Sequence, residues 1–357
     1  MVRYRTIAAL LSLSLASNCG TLASPGAGDH ELPANRTGPF RELTMTEMAG
    51  RTCAAVDFAG LIDEPSALRL ADGRIALYVT REHDGLRTIA RLVMRAPGQQ
   101  QSDPVDVLTA TLPWQGGGVS SPDVAARADG SLVMAYATAS GAIALASSAD
   151  GASWTARPVA ALEASDASGE TTALRAPSVV AQGETLVLAY VSGGAIWLAR
   201  APRVDAPFER VDADPRTPRR DPVLGATGVT PGPDGGAPGF ESGSLDDPDL
   251  TLEAGALGRS LWRLFYTARS APVAMDGGVA PTLAISMAAS FDGLTFTRFG
   301  APVFSTRNDP TIASPSMLAD DARRTLLYVG GRCNLSRGRR GIRAAIAPGG
   351  DTVTPLP

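Results

Sequence analysis

The chain has 357 residues, 44% hydrophobic and 19% charged, with 32 basic side chains against 36 acidic ones and a net charge of −4. Every basic residue is an arginine, which excludes lysine Schiff-base and P-loop chemistry, and 2 histidines and 3 cysteines are too few for a histidine-rich or four-cysteine zinc site. With no basic stripe, nucleic acid is not an expected partner; neither a cofactor nor a metal is expected, and the carboxylates remain as the source of any acid–base chemistry.

In chain order, Arg3 and Arg5 precede an apolar run at 7–16 (IAALLSLSLA). The run is too short to cross a bilayer but suits the core of a signal peptide. The following LASNCG places Cys19 where a bacterial lipoprotein carries its lipidated cysteine; cleavage after Ala23 is the alternative, and it would release a periplasmic or secreted protein. Residues 1–18 therefore read as a signal peptide and 19–40 as a flexible tether. Export would put Cys53 and Cys333 in an oxidising compartment, where a bridge would tie the two ends of the folded part together; two separate buried cysteines is the other reading.

The remainder repeats itself. Five stretches, at 64–80, 121–138, 176–192, 247–268 and 314–330, each open with a proline followed by Ser or Asp. A short apolar strand, a polar turn and a longer apolar strand ending around a tyrosine come next. The prolines are 65, 122, 177, 248 and 315, and the tyrosines 78, 136, 190, 266 and 328; outside the signal peptide the chain has no other tyrosine. Ala-Asp-Gly at 71–73 and 128–130 marks hairpin turns. Proline lacks the N–H for a ladder, which suits an innermost strand with a free edge. A third apolar run follows each tyrosine strand, and SSADGASWTARPV (147–159) and ASFDGLTFTRFGAPV (289–303) add a tight turn and a fourth strand. Four strands in five units predict an all-β, five-bladed β-propeller of four-stranded antiparallel blades over 41–357, about 63 residues each. Its blades are expected at 56–113, 114–168, 169–240, 241–305 and 306–357, with a Pro/Gly-rich insertion at 201–245 over one face or mobile.

The xP[SD] strand starts, L-x-Y second strands and S-x-DG-x-x-[WF] turns resemble the propellers of family-43 glycoside hydrolases and their family-32 and family-130 relatives. That resemblance implies a carbohydrate partner and a general-base Asp before the proline of the first blade. It further implies a pKa-modulating Asp before the proline of the third, and a general-acid Glu near that of the fourth. Here the first position holds Glu64 with Asp63 beside it, the third Ala176 with Arg175 beside it, and the fourth Asp246 and Asp247. Asp123 follows Pro122 as in a W-A-P-D stretch common in these enzymes.

Glu64 is thus the expected base, and Asp246 or Asp247 the expected acid. Asp63, Asp123, Arg175 and Trp114 are expected ligand contacts, with Trp114 stacking on a sugar at the funnel mouth. An inverting pair must hold one carboxyl protonated. Without the third-blade Asp, and with Arg175 nearby, that proton is expected to be hard to keep. Two functions follow: a glycoside hydrolase on arabinose-, xylose- or fructose-containing glycans, or a non-catalytic surface protein that binds carbohydrate or protein through the same funnel. Either is expected to work as a monomer, reaching the membrane only through its lipid anchor.

Overall fold

The computed structural model describes residues 40–43, 61–97, 99–166, 169–170, 172–228, 239–254, 260–275, 278–305, 311–319, 323–330 and 341–348. Cys19, Cys53 and Cys333, and most of the Gly/Pro-rich stretch at 230–239, lie outside these residues.

A two-residue strand, β1 (Arg41–Glu42), precedes the first blade. Blade 1 comprises β2 (Leu61–Arg69), β3 (Ile75–His83), β4 (Leu86–Met94) and β5 (Val105–Leu108); blade 2 comprises β6 (Val119–Ala126), β7 (Leu132–Thr138), β8 (Ile143–Ser148) and β9 (Thr155–Ala156). Blade 3 comprises β10 (Arg175–Gln182), β11 (Thr185–Ser192), β12 (Ala195–Ala201) and β13 (Glu209–Arg210). Blade 4 runs β14 (Ser244–Ala254), β15 (Ser260–Arg269), then past a hairpin of β16 (Val273–Met275) and β17 (Gly278–Ala280) to β18 (Leu283–Ser290) and β19 (Thr297–Arg298). Blade 5 has β20 (Ala313–Ala319), β21 (Arg323–Gly330) and β22 (Gly341–Pro348).

The fifth blade corrects the sequence division. Its outer strand does not come from 306–357 but from β1, which pairs antiparallel with β22, Arg41 opposite Ile346. The ring is thus closed by strand pairing between the two ends of the fold. Innermost strands β2, β6, β10, β14 and β20 each contact the next, and β20 returns to β2 around a central axis.

The core is divided among the five junctions. Each large apolar cluster joins two neighbouring blades: Tyr78 with Met134 between blades 1 and 2, Leu145 with Leu188 between 2 and 3, and Leu198 with Leu264 between 3 and 4. Met287 with Leu326 joins blades 4 and 5, and Leu77 with Leu327 joins 5 and 1. A second strand is covered on both faces, so β7 is buried at all seven positions and reads as a continuous apolar run. Because a blade presents both faces to neighbours, removing one exposes two interfaces.

The tyrosine marker also needs one correction. The residue opposite the break in the innermost strand is Tyr136, Tyr190, Tyr266 and Tyr328 in blades 2 to 5, but Val79 in blade 1. Tyr78 is one residue early, and side chains alternate along a strand, so it faces blade 2 whereas the other four face the preceding blade.

Candidate active site

Every innermost strand breaks register at its proline. In β2, Asp63 pairs with Thr80 and Ser66 with Tyr78, leaving Glu64 and Pro65 opposite one residue. The same bulge lies between Ser120 and Asp123, Arg175 and Ser178, Asp246 and Asp249, and Ala313 and Ser316. Proline cannot complete the ladder, and the residue before it turns left-handed: φ is +53° at Glu64, +49° at Ser121, +46° at Ala176, +44° at Asp247 and +51° at Ser314. Each such residue costs about 1–2 kcal/mol in an L-amino acid. Because Ala176 and Ser314 share the conformation with Glu64 and Asp247, the strain belongs to the fold and not to the acids. It turns five side chains, with their prolines, into a central cavity of about 30 Å³, room for a single water.

The residue after each proline has a different task. Ser66 Oγ accepts the Val124 N–H at 3.1 Å, Asp123 Oδ2 the Val179 N–H at 2.6 Å, and Ser178 Oγ the Leu250 N–H at 2.8 Å. Asp249 Oδ2 accepts the Met317 N–H at 2.7 Å, and Ser316 Oγ the Ala67 N–H at 2.9 Å. These five bonds run from blade to blade around the axis and close on themselves. Ser66 and Ser178 hydroxyls donate to Asp123 as well, each at 2.9 Å. Asp123 lines the central cavity, and both its oxygens also accept from protein donors, which makes it an inter-blade tie. Burial raises the pKa of both Asp123 and Asp249, opposed by their hydrogen bonds, and the charge of Asp123 raises Asp249 further.

Only blades 1 and 4 place acids before the proline, and they do so in doublets. Asp63 Oδ1 accepts the Glu64 N–H and Asp246 Oδ1 the Asp247 N–H, both at 3.0 Å. Glu64 Oε2 accepts from Thr80 Oγ1 at 2.5 Å and from the Ser121 N–H at 2.9 Å. Asp247 Oδ2 lies 3.0 Å from Thr267 Oγ1, which also accepts the Ser314 N–H at 2.9 Å. Thr80 and Thr267, missed in the sequence reading, hold the same register position, opposite Asp63 and Asp246. The corresponding residues of blades 2, 3 and 5 are Ala137, Val191 and Val329, so a threonine appears there only in blades with an acid doublet. That coincidence was the available signal.

Asp247 is pushed up to about 8, by burial first and then by the charges of Asp246, Glu64 and Asp63, against the opposing Thr267 hydrogen bond. At neutral pH it holds its proton. The expectation of a missing charge is thus corrected: neighbours within the two doublets supply it. Arg175 does not undo this, because its guanidinium pairs with Asp246.

The remaining expected contact lies elsewhere. Trp114 packs in the apolar layer between blades 1 and 2, and its Nε1 donates to the Pro158 carbonyl at 2.9 Å. It does not line the central cavity; the glycines after it, Gly116 to Gly118, instead line a groove on the same face. His83 is exposed, with Nε2 3.2 Å from Asp84. Among the described residues no group of three or more His, Cys, Asp or Glu is arranged to hold a metal ion.

No model of a known protein family matches the chain, and no curated protein does. Solved structures do match. One, at a TM-score of 0.60 and 14% identity over 85% of this chain and 93% of the other, comes from the GH130 family of mannoside phosphorylases, described as containing glycoside hydrolases that target β-1,2-mannosidic linkages in Candida mannan. A second is the catalytic domain of the Coprinopsis cinerea GH62 α-L-arabinofuranosidase, at 0.56 and 11% over 84% and 95%. A third is a glycosyl hydrolase from Bacteroides ovatus, at 0.58 and 14% over 85% and 92%. The chain is a five-bladed β-propeller whose structural neighbours include GH130, GH62 and other glycoside hydrolase propellers.

Proposed function

We propose that this protein is an exported glycoside hydrolase acting on glycans that contain arabinose, xylose or fructose. Asp247 serves as general acid and Glu64 as general base. One observation carries the reading: Asp247 keeps its proton at neutral pH because it is buried beside the charged Glu64, Asp246 and Asp63. In hydrolysis Asp247 would give its proton to the leaving oxygen of the glycosidic bond. Glu64, from a different blade but lining the same cavity, would take a proton from the water that attacks the anomeric carbon. Neighbouring structures described as an arabinofuranosidase and as glycoside hydrolases acting on β-1,2-mannosidic linkages support glycan hydrolysis as the reaction class.

The test is turnover by the full chain on aryl arabinofuranosides, xylosides, fructosides and mannosides and on a polysaccharide panel. Asp247→Asn and Glu64→Gln should each lower kcat by about 10²-fold or more. Turnover that survives both substitutions removes the site assignment. Absence of turnover across the panel decides for the second reading, carbohydrate or protein binding without cleavage. The observation favouring that reading is Ala176, which leaves the third blade without an acid at this level.

The N-terminal features belong to the same proposal. Cys19 would carry a lipid that anchors a monomer at the outer membrane or cell surface, with cleavage after Ala23 as the soluble alternative. Cys53 and Cys333 would form a bridge tying the two ends of the folded part together. Intact mass of the protein recovered from its host, with and without reduction, reads the lipid, the cleavage point and the bridge together.

A further inference from the structure

The central cavity is too small to hold a sugar ring, but a groove of about 430 Å³ opens beside it on the same face. Its walls come from three blades: the β3–β4 turn with Glu82 and Arg87, the glycine run entering β6, the β7–β8 turn, and the entry to β10 with Arg175. The size is that of a small-ligand site. Its floor is made of closely packed turns. A Cβ on Gly116 would come within 2.7 Å of the Ser140 nitrogen, and one on Gly141 within 2.6 Å of the Ala173 Cβ, while both glycines have φ of +70° or more.

Two arginines and one glutamate supply the groove's charged groups, and Glu82 is paired with Arg87. Arg175, 47% exposed, gives Nη1 to Asp246 and stands between groove and acid cluster. Arg87, 51% exposed, makes one long bond from Nε to Glu82 at 3.3 Å. Each guanidinium offers five N–H donors in a planar fork suited to a carboxylate, and both side chains line the groove with one bond apiece to a neighbouring carboxylate. The central cavity, in contrast, is lined by Glu64, Asp123, Asp247 and Asp249 with no arginine among them, and so offers an anion no cation.

We propose that this groove is a subsite for a carboxylate-bearing sugar, a uronic acid unit whose carboxylate is held by Arg87 and Arg175. The substrate is then an acidic glycan. The proposal deepens the hydrolase reading and rests on it for turnover, but not for binding.

The test is calorimetric titration of the full chain with a galacturonic acid trimer, its methyl ester and neutral xylotriose. The acid should bind at least about tenfold more tightly than its ester, with an advantage that shrinks as salt rises. Arg87→Gln, on an exposed side chain, should erase that advantage while leaving the melting temperature unchanged; Arg175→Gln should erase it too, with a lower melting temperature because the largely buried Asp246 loses its partner. Equal affinity for acid and ester, or an advantage that survives both substitutions, overturns the subsite. If the acid binds through the arginines but no uronate-containing glycan is cleaved, the subsite stands and the hydrolase reading fails. If uronate-containing and neutral glycans are both cleaved equally well by wild type and Arg87→Gln, the hydrolase reading stands and the subsite fails.

Discussion

At the scale of single residues, a carboxyl group with a pKa of about 8 is the feature to explain and to test. Its main cause is burial, followed by three negative neighbours, so its proton responds to local charge in a defined direction. Catalysis that needs protonated Asp247 should fall as pH rises through about 8. Asp246→Asn removes one negative neighbour and leaves Arg175 without its partner beside the site. Both changes favour the ionised form of Asp247, so the alkaline limb of the pH–rate profile should move to lower pH. A limb that stays in place would show that Asp247 is not the acid being titrated. The doublets Asp63-Glu64 and Asp246-Asp247 were legible in the sequence; the proton was not. A linear reading looked for one particular missing acid in blade 3. What raises a pKa is summed charge in a dry place, whichever strand supplies it.

At the scale of elements, the tyrosine strands combine two kinds of joint. Tyr190 donates to Glu170 at 2.5 Å, and Arg210 clamps the same carboxylate at 2.7 and 2.8 Å; Tyr266, Glu241 and Arg298 repeat this one blade later. Tyr328 meets Glu42, which pairs with Arg343 at 2.8 Å. These joints fasten the segment entering or closing a blade to its second strand. Tyr136 has a neutral partner, Gln115, at 2.9 Å, and burial pushes its hydroxyl up to about 12. Tyr190→Phe strips a donor from a carboxylate that is 1% exposed and should cost roughly 1.5–3 kcal/mol. Tyr136→Phe should cost about 0.5–1.5 kcal/mol, and urea unfolding would rank the two. An equal cost would mean that the carboxylate of Glu170 draws no extra support from its tyrosine. Recurrence made these strands easy to find, because a buried aromatic at a fixed distance from a proline stands out. The one-residue offset of Tyr78 was hidden, since Tyr78 and Tyr190 stand equally far from their prolines and only the turn sets the register: Arg69 pairs with Ile75, but Gln182 with Thr185.

At the scale of the whole molecule, the ring is held by devices that join distant parts of the chain. Two-residue β1 has no periodicity that sequence could reveal, yet it closes the fold. The Ser or Asp after each proline was visible as a motif, but its purpose emerges only when the next blade arrives with a backbone N–H. In this circle serine suffices three times, whereas Asp123 and Asp249 bring buried carboxyls. Asp249 is 8% exposed, and its pKa in the fold stands well above the ordinary value. The folded state then holds a proton that the unfolded chain releases near pH 4. Stability on this account is greatest in acid and declines as pH rises from there through the folded-state pKa. Asp249→Asn keeps an oxygen to accept the Met317 N–H and removes the charge. It should raise unfolding stability at pH 8 by about 1 kcal/mol or more, with the gain fading toward pH 4. Asp249→Ala also removes the acceptor, leaving the Met317 N–H buried without a partner, and should fall below the Asn variant at every pH by about 1–3 kcal/mol. Thermal or urea unfolding of the three proteins across that pH range tests the account. An Asn variant less stable than the parent at pH 8 would mean that the ring depends on the negative charge of Asp249, and the tie would then be ionic in place of a hydrogen-bonded one.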